Sequence, residues 1–135
     1  MLHPHVTPVS ASVNAGGTQG TAVFTLHVAQ SLCNRMNNLH GGAAALVFDV
    51  CTSTAVATVA KQGFWENAGV SRTLDCVYLR PTPSGATVSV VCHVVAAGKR
   101  LLHTRAEMRM GGPEGEVLCT CEHGKVDPMA GKFKL

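Results

Sequence analysis

A lone carboxylate inside an apolar run is the residue of this sequence best suited to do chemistry. Asp49 follows the apolar residues 43–48 and precedes Val50 and Cys51, and no Lys or Arg stands between Arg35 and Lys61 to pair with it. Burying an unpaired charge is costly, so an acidic group kept in such a setting is a candidate base or nucleophile. The reading without chemistry is a solvent-facing Asp, or one capped by a nearby Asn or Ser. Just upstream, Asn37-Asn38-Leu39-His40-Gly41-Gly42 leads into the same run. Paired glycines let a backbone come close to a ligand, and the free N–H groups at a helix start attract partial negative charge. A thioester carbonyl, which gathers charge on its oxygen as it is attacked, suits such donors. Taken alone, His-Gly-Gly is equally a loop with a cap and a satisfied imidazole.

The elements that must position these residues are visible in the hydropathy pattern. Residues 42–60 are apolar nearly all round, which predicts one buried helix about 28 Å long. Its length invites a membrane reading, but Asp49, Thr52, Ser53, Thr54 and Thr58 interrupt it and everything downstream has the two-residue period of strands. Over 70–80, Val70, Arg72, Leu74, Cys76 and Tyr78 alternate with Ser71, Thr73, Asp75, Val77 and Leu79, which assigns the two sets to opposite faces of a strand. Pro81-Thr82-Pro83-Ser84-Gly85 ends it. A β-branched stretch over 87–96 forms the next strand. A tight turn at Ala97-Gly98-Lys99 joins it to 101–110, where Leu102, Thr104, Ala106, Met108 and Met110 take the packed face. Gly111-Gly112-Pro113-Glu114-Gly115 precedes a last strand over 116–126, and earlier strands are predicted over 5–13 and 20–29. The order strand, strand, helix, four strands predicts an α+β domain spanning 1–135, with about six antiparallel strands around one central helix.

Composition narrows the function. The chain has 135 residues, 46% of them hydrophobic and 14% charged, and a formal charge of +3. That charge and the few aromatic side chains disfavour nucleic acid as a partner. Most of the basic residues fall in the second half, among them Arg72, Arg80, Lys99, Arg100, Arg105 and Arg109, as a solvated sheet face or as contacts for a small phosphorylated ligand. The six cysteines lie in apolar runs without a C-x-x-C pair or a signal peptide before them, so they read as reduced core thiols in a reducing compartment. Cys119-x-Cys121 is packing on one strand face; tetrahedral metal spacings are absent, and no metal is expected.

With these residues in place the sequence resembles the hotdog thioesterases. Asn34, then His40-Gly41-Gly42, then Asp49, followed by Gly69-Val70-Ser71, is similar to the branch holding the phenylacetate-pathway thioesterases and the animal acyl-coenzyme A thioesterase 13 group, over roughly residues 20–126. The resemblance implies a hotdog fold and hydrolysis of an acyl-coenzyme A thioester without a cofactor. It implies Asp49 as base or nucleophile, Gly41 as the N–H donor to the carbonyl with Gly42 beside it, Asn34 on the attacking water, His40 near the thioester, and Ser71 orienting groups near Asp49. It implies a site shared between two copies in a homodimer, within a homotetramer, and coenzyme A phosphates near Gly98-Lys99-Arg100. Two departures stand out: relatives carry a helix before the first strand, for which Met1-Leu2-His3-Pro4-His5 leaves no room, and Cys51 follows Asp49 by two residues.

Two other functions fit the same residues. A hotdog hydratase or dehydratase would need a histidine beside the carboxylate, and His40 lies too early to share the helix face of Asp49. A non-catalytic module binding acyl-coenzyme A or an acyl carrier would need no catalyst at all. The expected location is the cytoplasm; a mitochondrial protein already processed would read the same.

Overall fold

The computed structural model describes residues 5–130; the residues before His5, on which the missing-helix expectation rests, lie outside that range. Six strands form one antiparallel sheet: β1 (Val6–Val13), β2 (Gly20–His27), β3 (Val70–Tyr78), β4 (Thr87–Ala97), β5 (Leu101–Met110) and β6 (Val117–Val126). Their spatial order is β1-β2-β4-β5-β6-β3, so β3, the first strand after the helix, runs to the far edge and pairs with β6. The helix α1 (Gly41–Ala55) lies against the sheet. This is the hotdog fold.

The core lies between the two. Ala44, Val47, Phe48, Cys51 and Ala55 of α1 meet Phe24 and Leu26 of β2, Val88, Val90 and Cys92 of β4, Met108 of β5 and Cys119 and Cys121 of β6. The alternation expected for β5 is seen: Leu102, Thr104, Ala106 and Met108 are buried, while Arg105 on the other face is exposed and pairs with Glu122 of β6. All six cysteines are free thiols. Burial pushes the Cys51 and Cys119 thiols up to about 12, which makes them poor nucleophiles at neutral pH. Cys51, two residues past Asp49, is therefore a core side chain.

The helix differs from the expected 42–60. It closes at Ala55 and tightens into a 3-10 turn, Val56–Thr58, where the Thr58 hydroxyl donates back to the Ala55 carbonyl. The expected burial on all sides also fails, because the sheet covers one face only and Leu46 and Val50 stay exposed. Residues 41–58 are long and apolar enough to span a bilayer; here six of their side chains are core members against the sheet. Strand β3 is exposed along nearly its whole length, including Val70, Leu74, Val77 and Tyr78. A free sheet edge carrying that much apolar surface is the feature natural proteins usually cover.

One irregularity in β3 decides which way Ser71 faces. Ser71 pairs with Lys125 and Thr73 with Gly124, so two steps along β3 match one along β6. Such a bulge flips the facing of every residue beyond it. Strict alternation places Ser71 on the face opposite Cys76; the bulge turns Ser71 back onto the side where α1 lies. Gly69, just before the strand, holds a positive φ of 62° and has no room for a Cβ, which would fall 2.5 Å from the Val126 carbonyl oxygen.

Candidate active site

The candidate residues gather in two places along α1. At its N-terminus, His40 is the N-cap: its backbone is extended and its Nδ1 accepts from the Gly42 N–H at 2.9 Å. That bond occupies the Gly42 donor. The Gly41 N–H, one position earlier, has no hydrogen-bond partner among the described residues, as expected for the first residue of a helix. Asn34 shapes the loop ahead of it, its Oδ1 accepting from the N–H groups of Met36 at 3.0 Å and Asn38 at 3.2 Å. Its amide nitrogen makes no hydrogen bond among the described residues. Tyr78, near the end of β3, donates its hydroxyl to the Gly41 carbonyl at 2.6 Å and ties the helix start to the sheet edge. Asn34, Gly41, Tyr78, Arg80 and Cys119 line an open cavity of about 370 Å³.

Asp49 lies two turns further on, about 12 Å along the helix axis from Gly41. Its side chain is 42% exposed, so it is neither sealed in the core nor free of neighbours. The missing cation is supplied from the other end of the chain. His123 of β6, fully buried, places Nε2 3.9 Å from Asp49 Oδ1. Lys125, also of β6, donates to the Ser53 hydroxyl at 2.7 Å, and Ser53 donates to Asp49 Oδ1 at 3.4 Å. The expectation of an unpartnered carboxylate is thus corrected: β6 brings a histidine and a lysine beneath it.

Hydrogen-bond directions fix the state of His123. The Thr52 hydroxyl donates to the Phe48 carbonyl at 2.7 Å, as helix threonines do, so at its 2.6 Å contact with His123 Nδ1 it must accept. Nδ1 then carries the proton and Nε2 is the acceptor, receiving the Ser71 hydroxyl at 2.7 Å. Burial, and next the charge of Lys125, hold this imidazole below its usual range against the pull of Asp49. A neutral ring results at neutral pH. A continuous chain runs from Ser71 through His123 and Thr52 to the helix backbone.

His123 and Lys125 escape a reading of the sequence alone, yet a signal is there. Period-two spacing along β6 puts Cys119, Cys121, His123 and Lys125 on one face, and two of those four are basic residues at core positions. The remaining expected residues, Lys99 and Arg100, sit on the exposed β4–β5 turn. Leu101 next to that turn pairs with Val126, which pairs with Val70, so the turn stands at the same end of the sheet as Ser71 and Lys125. The structure therefore brings Asp49 and Ser71 to the same histidine, His123, groups Asn34, His40 and Gly41 separately at the helix start, and puts the Lys99–Arg100 turn at the sheet end that carries Ser71.

Comparisons with known proteins agree with this architecture. The mouse thioesterase superfamily member 2 superposes with a TM-score of 0.74 at 22% identity, covering 90% of this chain and 81% of the other. The phenylacetic acid degradation protein PaaI of Thermus thermophilus, in a mutant form, gives 0.71 at 19% identity with 91% and 93% covered. A Streptococcus mutans protein solved with acetyl-CoA gives 0.74 at 16% identity with 90% and 87% covered. At these identities the likeness is one of fold. No curated protein matches the sequence. Residues 36–117, more than half of the chain and including Gly41, Asp49 and Ser71, match the thioesterase superfamily model, and the chain belongs to that superfamily.

Proposed function

We propose that this protein hydrolyses an acyl-coenzyme A thioester, with Asp49 as general base. The single observation that carries the reading is the setting of Asp49. It is a half-exposed carboxylate that water can reach, the one charged residue of its helix, backed by Ser71, neutral His123 and Lys125 from the sheet. Superfamily membership supports thioester chemistry, and a structural relative that holds acetyl-CoA supports coenzyme A as the thiol. Asp49 takes a proton from water as the water oxygen bonds to the carbonyl carbon; the C–S bond then breaks and the proton passes to the departing sulfur.

The oxyanion donor cannot come from the same site in the same chain, because the Gly41 N–H is two helical turns from Asp49. In this reading a second copy supplies it. Two copies meeting along β3 would cover Val70, Leu74, Val77, Leu46 and Val50 and set Gly41 of one beside Asp49 of the other. Asn34 then holds the water through its free amide nitrogen, and His40 fixes the glycine pair by capping the helix. Lys99 and Arg100, on the turn that begins at Gly98, receive the coenzyme's phosphates.

A hydratase is the second reading, and one observation speaks to it: the carboxylate–histidine pair that such an enzyme needs exists here as Asp49 and His123. Both nitrogens of His123 are engaged and its side chain is fully buried, so it does not reach a substrate. The test is thiol release from a panel of acyl-coenzyme A thioesters. The parent protein turns over at least one of them, and Asp49→Asn lowers the rate by about 100-fold or more. Hydration of an enoyl thioester without thiol release would replace this reading by the second one.

A further inference from the structure

Lys125 is the one Lys or Arg buried among the described residues, 3% exposed, and its ammonium makes no direct ion pair there. Its single hydrogen bond goes to the Ser53 hydroxyl at 2.7 Å, and that hydroxyl's proton points on to Asp49 at 3.4 Å. Burying an ammonium on so little compensation costs stability, and an apolar side chain of similar length would serve the fold as well or better. Burial lowers its proton affinity while Asp49 opposes that shift. The groups around Asp49 are few: Ser53 from its own helix, Ser71 from β3, and His123 and Lys125 from β6, with His103 behind them on the outer face against Glu122. Since His123 is neutral, Lys125 carries the full positive charge at the site.

We propose that Lys125 is a positioning residue for the hydrolysis: through the Ser53 hydroxyl its buried ammonium fixes the Asp49 carboxylate and sets the charge that Asp49 and His123 both feel. The inference rests on Asp49 being the base. Ser53 is the geometric link, because one hydroxyl can accept from an ammonium and donate to a carboxylate at once. Charge and orientation are therefore delivered by the same contact.

Lys125→Met in the full-length protein tests this. Its kcat falls by about tenfold, the scale of one pH unit of coupling, with KM little changed and thermal stability equal or higher. The parent enzyme loses activity on the alkaline side as Lys125 gives up its proton, below the ordinary lysine range, and the Met variant lacks that limb. By NMR the His123 imidazole titrates at higher pH in the variant, because the charge that held it down is gone. Ser53→Ala, which breaks the link but keeps the charge, lowers kcat several-fold and retains the alkaline limb. An active parent whose Met variant keeps kcat and the alkaline limb overturns the inference and leaves the proposed function standing. A parent that releases no thiol from any acyl-coenzyme A overturns that function instead. In that case an unmoved imidazole titration in Lys125→Met removes this inference as well.

Discussion

The two ends of the site are built in opposite ways. Around Gly41 the side-chain bonds that shape the donors are local: Asn34 and His40 accept from N–H groups within four positions of themselves, while the Tyr78 hydroxyl and backbone bonds from Leu39 to Thr82 and from Ser84 to Asn37 anchor the loop to distant segments. Around Asp49 the contacts span the chain, joining Ser53 to Lys125 and Thr52 to His123 across more than seventy residues, and Ser71 to His123 across 52. Backbone donors are thus set by short-range loop chemistry, and the carboxylate's electrostatics are set by strand register. Damage to the first should act on chemistry with little effect on the fold, whereas damage to the Thr52–His123–Ser71 chain of the second should also show in stability; Lys125, whose buried charge costs the fold, is the exception.

The largest expected effect within this contrast is at Gly41. Gly41→Pro removes its N–H and nothing else: His40 is already extended, with φ of −62° and ψ of 137°, as a residue before proline must be. Proline is at home at the first helical position, and a Cβ there meets only the Tyr78 ring at 3.5 Å. Thiol release should fall by roughly 100-fold, the usual scale for losing an oxyanion donor, with an unchanged melting temperature. A matching loss of stability would mean that the glycine serves the fold.

A smaller effect is expected at His123, and it appears in stability. The folded protein holds this imidazole below its usual 6.5. A depressed folded-state value contributes stability that is complete above about pH 6.5 and is lost as the pH falls through the lower folded value. His123→Gln keeps a donor for Thr52 and an acceptor for Ser71 but takes up no proton. Its melting temperature should therefore decline less than the parent's between about pH 7 and about pH 5, by a few degrees. Equal slopes would show that the ring is not the group being titrated.

The same contrast explains what the sequence disclosed. The strands, the helix and the loop ahead of it follow from local pattern, and so do Asn34, His40, Gly41 and Asp49, whose spacing lies within sixteen residues. Ser71 is legible by its neighbourhood but takes the wrong face under strict alternation, because a bulge is a property of two strands and β3 alone does not show it. His123 and Lys125 become neighbours of Asp49 only once β6 is known to lie between β5 and β3. The exposed face of α1 is hidden for a similar reason: an all-apolar helix announces burial without saying what will cover its second side.

Mixing subunits tests most directly the claim that Asp49 of one chain works with Gly41 of another. Asp49→Asn and Gly41→Pro chains, each nearly inactive alone, are co-expressed with different tags and the mixed oligomer is purified. In a mixed pair one site receives both lesions and the other neither, so about half of the parental turnover per pair should return. Mixed oligomers as inactive as the separate variants would contradict the shared site, and with it the role given to the carboxylate.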